Sequence, residues 1–201
     1  MKTSIVGFDH SPENIHALIA DVRGEIMDMG LKKVRVGVEA LEDDWMTRRT
    51  WREVIRRLRK TKGVDVEIVF LDSPTGDRIA QRTRRMERQM DEALKSGGVS
   101  AWDLGRMRWE MAKGNYAKLT LRSGSIANRI ESNMPHIAIL GGAHAVQVGQ
   151  RLRIEPRYVG IGKAKVEEIV GRMEAEIGDV TRMREMRRRE KARGRMSKRR
   201  R

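Results

Sequence analysis

The sequence predicts an α/β protein with a mostly parallel sheet of four to five strands flanked by helices, a helical insertion and a basic C-terminal tail. Four short β-type runs are separated by helical stretches, so successive runs cannot pair as tight hairpins and need right-handed crossovers. The 201 residues are enough for one well-buried core. We therefore predict a single domain over residues 1–180 and a tail over residues 181–201.

Each predicted element has a local signal. The β-type runs are short, apolar and β-branched, and they span residues 3–7, 34–38, 66–71 and 136–140, with 158–161 as a fifth candidate. Apolar residues at helical spacing predict helices over about 12–29, 43–61, 74–94, 100–113, 119–132 and 163–177, and a short helix after His144. The helical, Arg-rich stretch from about 75 to 133 is expected to form an insertion or lid between the third and fourth strands.

Composition excludes several classes of protein. The chain has no cysteine, so it has no disulfide framework, and a metal ion would need His, Asp or Glu ligands. No apolar run approaches the roughly 20 residues that a membrane span needs. The first ten residues do not resemble a signal peptide. We therefore expect a cytoplasmic protein without a membrane span.

Positive charge is concentrated at the C-terminus. Residues 182–201 hold 12 of the 43 Lys and Arg residues and only 2 of the 28 acidic residues. Such a tail can bind phosphates by releasing counterions, which makes nucleic acid a candidate partner. The alternative is a solvated helix end that frays into a disordered terminus and binds no ligand. The residues predicted to contact nucleic acid are Arg187, Arg188, Arg189, Arg199, Arg200 and Arg201.

Polar residues follow each of the four predicted strands. The first strand ends in Gly7-Phe8-Asp9-His10, the second in Glu39, the third in Asp72, and the fourth in Gly141-Gly142-Ala143-His144. Because the carboxyl ends of parallel strands meet at one edge of a sheet, these residues are predicted to face one crevice. Residues predicted to bind a ligand there are Gly7, Asp9, Asp72, Arg82, Arg85, Gly141 and Gly142.

Two chemistries suit this set of residues. His10, His144 and Glu39 are a suitable ligand set for a divalent metal such as Mn, Co or Zn, with a coordination position left open. Without a metal, the same residues offer a general acid and a general base, with an arginine as the partner of an anion. The remaining histidines, His16 and His136, are expected to lie away from the site.

The four tryptophans are expected to pack rather than to bind bases. Trp45, Trp51, Trp102 and Trp109 all fall in predicted helices. Large aromatic side chains in such positions more often fill a core or a lid.

Two Gly-x-x-His motifs in this order resemble the TraB-like superfamily, which includes pheromone-shutdown proteins, Tiki proteases, erythromycin esterases and haem-binding ChaN lipoproteins. The segments IVGFDHSPENIHALIADVR and IAILGGAH resemble its opening and closing motifs, and VGVE resembles its second strand with an acidic end. VFLDSPTGDRIAQRTRR is similar to its third strand and Arg-bearing helix, and LTLRSGSIANRI to its Arg motif. Together these segments cover most of residues 3–150.

The resemblance implies a hydrolase, metal-dependent in the manner proposed for Tiki proteins, that acts on an unknown ester, amide or peptide. His10, Glu39 and His144 would be its central catalytic groups, and Arg122 would bind an anion. Two alternatives stay open. The chain is a nucleic-acid-binding protein that uses its tail and third helix, or a ligand-binding module that has kept the pocket without catalysis.

Overall fold

Five parallel strands form one sheet in a computed structural model that describes residues 3–42, 48–97 and 100–198. The strands are β1 (Ser4–Phe8), β2 (Lys33–Val38), β3 (Asp65–Phe70), β4 (Ile137–Gly141) and β5 (Arg157–Val159). Their order in the sheet is β3-β2-β4-β1-β5, and every pair is parallel. The predicted α/β class with a parallel sheet is therefore confirmed.

Helices connect all the strands. In the described residues they are α1 (Ile15–Asp28), α2 (Arg49–Leu58), α3 (Pro74–Ser96), α4 (Ala101–Tyr116), α5 (Ser123–Asn133), α6 (Gly142–Leu152) and α7 (Lys163–Lys198). A π-helix, Ala117–Arg122, joins α4 directly to α5. Residues 43–47, which were included in the predicted second helix, lie outside the described residues.

Both faces of the sheet are buried. In β4, Ile137 and Ile139 pack on the side of α1 and α2, whereas Ala138 and Leu140 pack on the side of α5 and α6. A strand covered on both faces has no polar alternation, which is why these sequence runs are continuously apolar. The sheet is thus a rigid platform, and functional residues are expected at its ends.

The position of β4 between β1 and β2 sets the geometry of the carboxyl edge. Gly141 pairs with Phe8 on one side, and Ile139 pairs with Val38 on the other. The three strands therefore end at nearly the same level. The residues that follow them come close together although they are far apart in sequence.

Two helical predictions need correction. The stretch from about 75 to 133 is not wholly an insertion, because Ile126, Ala127 and Ile130 of α5 belong to the core against the sheet. The last helix was predicted to end near residue 177, but α7 continues through Gly178 to Lys198. Arg, Lys, Glu and Met all have favourable helix propensities, and together they outweigh the cost of the two glycines, Gly178 and Gly194, in this part of the helix.

The predicted nucleic-acid contacts fall at the end of this helix or beyond it. Arg187, Arg188 and Arg189 belong to α7, and the structure describes their backbone only. Arg199, Arg200 and Arg201 lie outside the described residues. None of the described helices has the length and apolar character that crossing a membrane requires.

Candidate active site

A cleft of about 760 Å³ opens at the carboxyl edge of the sheet. Its walls include His10 after β1, Glu39 after β2, and the start of α6 after β4. Arg122, the last residue of the π-helix, also lines it. The structure therefore places all four residues predicted to be catalytic, His10, Glu39, Arg122 and His144, around one cleft.

Arg122 is the centre of a buried ionic cluster. Its Nη2 atom lies 2.9 Å from Glu39 Oε1 and 2.6 Å from Asp72 Oδ2. Its Nε–H group donates to Asp72 Oδ1 at 3.3 Å. All three side chains are almost fully buried, with exposures of 5% for Arg122, 4% for Glu39 and 1% for Asp72. One guanidinium thus compensates two carboxylates that water does not reach.

The contacts of His144 fix its tautomer. Arg122 Nη1 lies 3.1 Å from His144 Nε2, and a guanidinium N–H can only donate. Nε2 must therefore accept, which leaves the proton on Nδ1, where it is donated to Ser123 Oγ at 2.7 Å. Burial is the main reason that the pKa of His144 falls to about 4, with the charge of Arg122 acting in the same direction. At neutral pH His144 is a neutral ring held from both sides.

Glu39 stays ionised in spite of its burial. Burial alone would raise its pKa, but His144, Arg122 and His10 together lower the pKa to about 2. The backbone N–H of Gly141 adds to this effect by donating to Glu39 Oε2 at 2.7 Å. The result is a fixed negative charge directly beneath the cleft.

Of the four residues predicted to be catalytic, His10 is the exposed one, whereas Glu39, Arg122 and His144 are buried. Its ring stacks on Phe8 at 4.7 Å between centroids and meets the edge of Trp51 at 5.3 Å. The residue as a whole remains exposed to solvent. The surrounding walls still desolvate the imidazole, and this lowers its pKa more than the nearby charge of Glu39 raises it. His10 is therefore neutral at pH 7, and a neutral imidazole has one nitrogen that can accept a proton.

Gly141 allows His10 and Glu39 to approach each other. A Cβ atom at this position would lie 2.9 Å from His10 Nε2 and 3.3 Å from Glu39 Oε2. Any other residue would push the imidazole away from the carboxylate. The first glycine of the second Gly-x-x-His motif thus leaves room for the side chains of both His10 and Glu39.

The arrangement around Arg122 bears on the predicted metal ion. His144 Nε2 lies 3.6 Å from Glu39 Oε1, and the guanidinium of Arg122 contacts both atoms. The positively charged guanidinium occupies the place where a metal ion shared by His144 and Glu39 would have to bind, so the two side chains do not suit such an ion in this arrangement. Among the described residues, no three His, Asp or Glu side chains are grouped so that they could hold a metal. The divalent metal stays a prediction.

The π-helix explains how neighbouring residues reach the same ring. Arg122 is its last residue and Ser123 is the first residue of α5, and the two contact opposite nitrogens of His144. A π-turn widens a helix locally, and such turns are frequent at functional sites. Sequence periodicity does not reveal this turn, so Ser123 was not anticipated as a member of the site.

The remaining predicted ligand-binding residues have different positions. Asp9, Gly141 and Gly142 line the cleft. Asp72 is committed to Arg122, and Gly7 is packed beneath Tyr158 and Ala145, where a Cβ would lie within 2.9 Å of both. Arg82 and Arg85 line a separate groove between α3 and α4.

Several residues that line the cleft were not predicted as site residues, and three of them bear on its chemistry. Trp51 packs on His10, as its burial and ring contact show. Arg84 and Lys118 both line the cleft and bring positive charge to its wall. Arg84 belongs to the Arg-rich run of the third helix, but without knowledge of the helix orientation the sequence does not tell which of its arginines faces the site.

No family model, curated protein or solved structure matches this chain. The TraB-like resemblance therefore rests on the five sequence segments and stays a prediction.

Proposed function

We propose that this chain is a hydrolase of the TraB-like kind, and that His10 is the general base for attack of water on an ester, amide or peptide carbonyl. The observation that carries the proposal is the pairing of a neutral, solvent-reaching imidazole with a buried, ionised carboxylate in one cleft. A base with a pKa near or below the working pH, stabilised by a fixed negative charge once protonated, is what this reaction needs.

The reaction can be written with His10 as the only proton carrier. His10 removes a proton from water as the water oxygen bonds to the carbonyl carbon, and the C=O π electrons move to the carbonyl oxygen. The tetrahedral intermediate then expels the alcohol or amine, which takes the proton back from the imidazolium. Glu39 favours the first step because its negative charge stabilises the imidazolium form of His10.

Other residues have supporting roles. Lys118 and Arg84 line the cleft and supply positive charge for the oxyanion that develops on the carbonyl oxygen. Arg122 and His144 are positioning residues, because their hydrogen bonds are spent within the cluster. Arg122 holds Glu39 in place, and His144 holds Arg122.

The proposed reaction is tested with p-nitrophenyl acetate and alanine p-nitroanilide as probes. Replacing His10 with alanine is expected to lower kcat/KM by about 100-fold or more, the usual contribution of a general base. The matched control is His16→Ala, because His16 is an exposed histidine that contacts Arg57 outside the cleft. The control should retain the wild-type rate.

Two outcomes would contradict the proposal. Equal rates for the wild-type protein and His10→Ala, with both proteins folded by circular dichroism, would exclude His10 as the base. Absence of hydrolysis above the buffer rate for both probes, while p-nitrophenol still binds the wild-type cleft in calorimetry, would instead support the alternative of a ligand-binding module without catalysis.

A further inference from the structure

A second concave surface lies between α3 and α4, outside the cleft. The two helices pack closely at Gly114, where a Cβ would lie 2.9 Å from Thr83 Oγ1. Beside this contact they leave a groove of about 620 Å³. The charged side chains that line it are Arg78, Arg82, Arg85, Arg106 and Glu110.

This groove carries a strong positive charge. Four guanidinium groups face one carboxylate among its described lining residues. That carboxylate is already shared, since Glu110 Oε2 lies 3.5 Å from Arg82 Nη2 while Glu110 Oε1 accepts from Lys113. Arginine suits phosphate groups in particular, because its planar fork donates two parallel hydrogen bonds to an oxyanion.

An exposed aromatic ring lies next to the groove. Trp102 is 71% exposed, so the expectation that this tryptophan packs inside is wrong. The guanidinium of Arg106 lies over its ring at 5.8 Å from the centroid, and Arg106 also lines the groove. A hydrophobic ring is therefore exposed to water beside Arg106, one of the four arginines that line the groove. Exposing an indole to water has a cost, and stacking a nucleobase on it would remove that cost.

We propose that the α3–α4 groove binds single-stranded nucleic acid, with its arginines on the phosphates and Trp102 stacked on a base. A row of cationic groups beside an aromatic platform is the usual arrangement for such ligands. A free phosphate or an acidic peptide would use the arginines but not the indole. A base paired within a duplex does not offer its face for stacking, so a duplex would bind more weakly.

The test uses the full chain and a fluorescein-labelled oligouridine of about 15 nucleotides, long enough to cover one such site. Fluorescence anisotropy gives Kd for the wild type, for the double variant Arg82→Gln/Arg85→Gln and for Trp102→Ala. Both variants should bind about fivefold or more weakly. Trp102→Phe keeps an aromatic face and should recover most of the affinity lost in Trp102→Ala.

The matched control is Lys60→Gln/Lys62→Gln, which removes the same charge from exposed residues just before β3. The basic tail is unchanged in every variant, so its contribution cancels. The proposal is overturned if the arginine double variant loses no more affinity than this control, or if Trp102→Ala binds as well as the wild type. Equally tight binding of a 15-base-pair duplex would overturn the preference for single strands.

Discussion

Replacing Arg122 with methionine is expected to lower the free energy of unfolding by about 3–5 kcal/mol at pH 7, the usual cost of breaking a buried ion pair. The reason is that the buried carboxylates of Glu39 and Asp72 would lose the guanidinium that compensates both. Because methionine fills a similar volume, the fall in unfolding free energy comes from the missing positive charge and not from a cavity. Urea denaturation at pH 7 measures it.

The matched control for this variant is Arg157→Met. Arg157 also bridges two carboxylates, Asp21 at 2.8 Å and Glu25, but at about 34% exposure. Water screens such a pair, and its loss is expected to cost at most about 1 kcal/mol. Equal losses for Arg122→Met and Arg157→Met would contradict the buried cluster.

The pH dependence of the Arg122→Met effect is a further part of this prediction. In the wild type the pKa of Glu39 is about 2, against 4.5 for the free side chain. The carboxylate therefore contributes stability above pH 4.5, and this contribution is lost as the pH falls from 4.5 toward 2. Without Arg122 the folded-state pKa rises. The difference in unfolding free energy between Arg122→Met and the wild type should therefore become smaller as the pH falls below 4.5.

The wild-type protein is expected to lose stability as the pH falls from 6.5 to 4, with about 3 kcal/mol of the loss coming from His144. Burial lowers the pKa of His144 from 6.5 to about 4. In this range the unfolded chain binds a proton that the folded ring does not, so acid favours unfolding. His10 adds to the same trend because its pKa is lowered as well.

The variant His144→Asn isolates this contribution. Asparagine keeps an N–H donor for Ser123 Oγ but does not titrate, so the dependence of unfolding free energy on pH between 6.5 and 4.5 should become much shallower. Stability at pH 7 also falls, since Arg122 loses an acceptor at 3.1 Å. Urea denaturation at pH 7, 6 and 5 gives the slope. An unchanged slope in the variant would mean that His144 is not the buried neutral ring described here.

Much of the fold follows from local sequence signals. The strands begin and end within one or two residues of the predicted runs, because short β-branched runs bounded by Gly, Pro and polar residues have few alternatives. The order of the strands in the sheet cannot be predicted from such local signals. The place of β4 between β1 and β2 depends on pairing between distant segments, which no local pattern specifies.

The site was predictable to the extent that it depends on strand ends. His10 and Glu39 follow β1 and β2, and Gly141 ends β4 between them, so parallel topology brings the three residues together. The partners of Arg122 were not predictable from spacing. Asp72 was expected to bind a ligand, yet it forms an ion pair with Arg122, which is the last residue of a π-helix that sequence periodicity does not show.

Trp102 illustrates the opposite error. A large aromatic residue in a helix is expected inside, because burial of its surface stabilises the fold. Here α4 presents Trp102 to solvent, beside an arginine of the groove. The exposure of this side chain and its arginine neighbour depend on the orientation of α4, which the sequence alone does not show.

The most direct test of the proposed active site is the pH dependence of kcat/KM for p-nitrophenyl acetate hydrolysis in the presence of EDTA. We expect the rate to rise with pH along a limb whose midpoint lies below 6.5, because the pKa of His10 is lowered from that value. The limb should be absent in His10→Ala. A midpoint above 6.5, a limb that persists in His10→Ala, or a rate that EDTA abolishes and added Zn²⁺ restores would contradict this account.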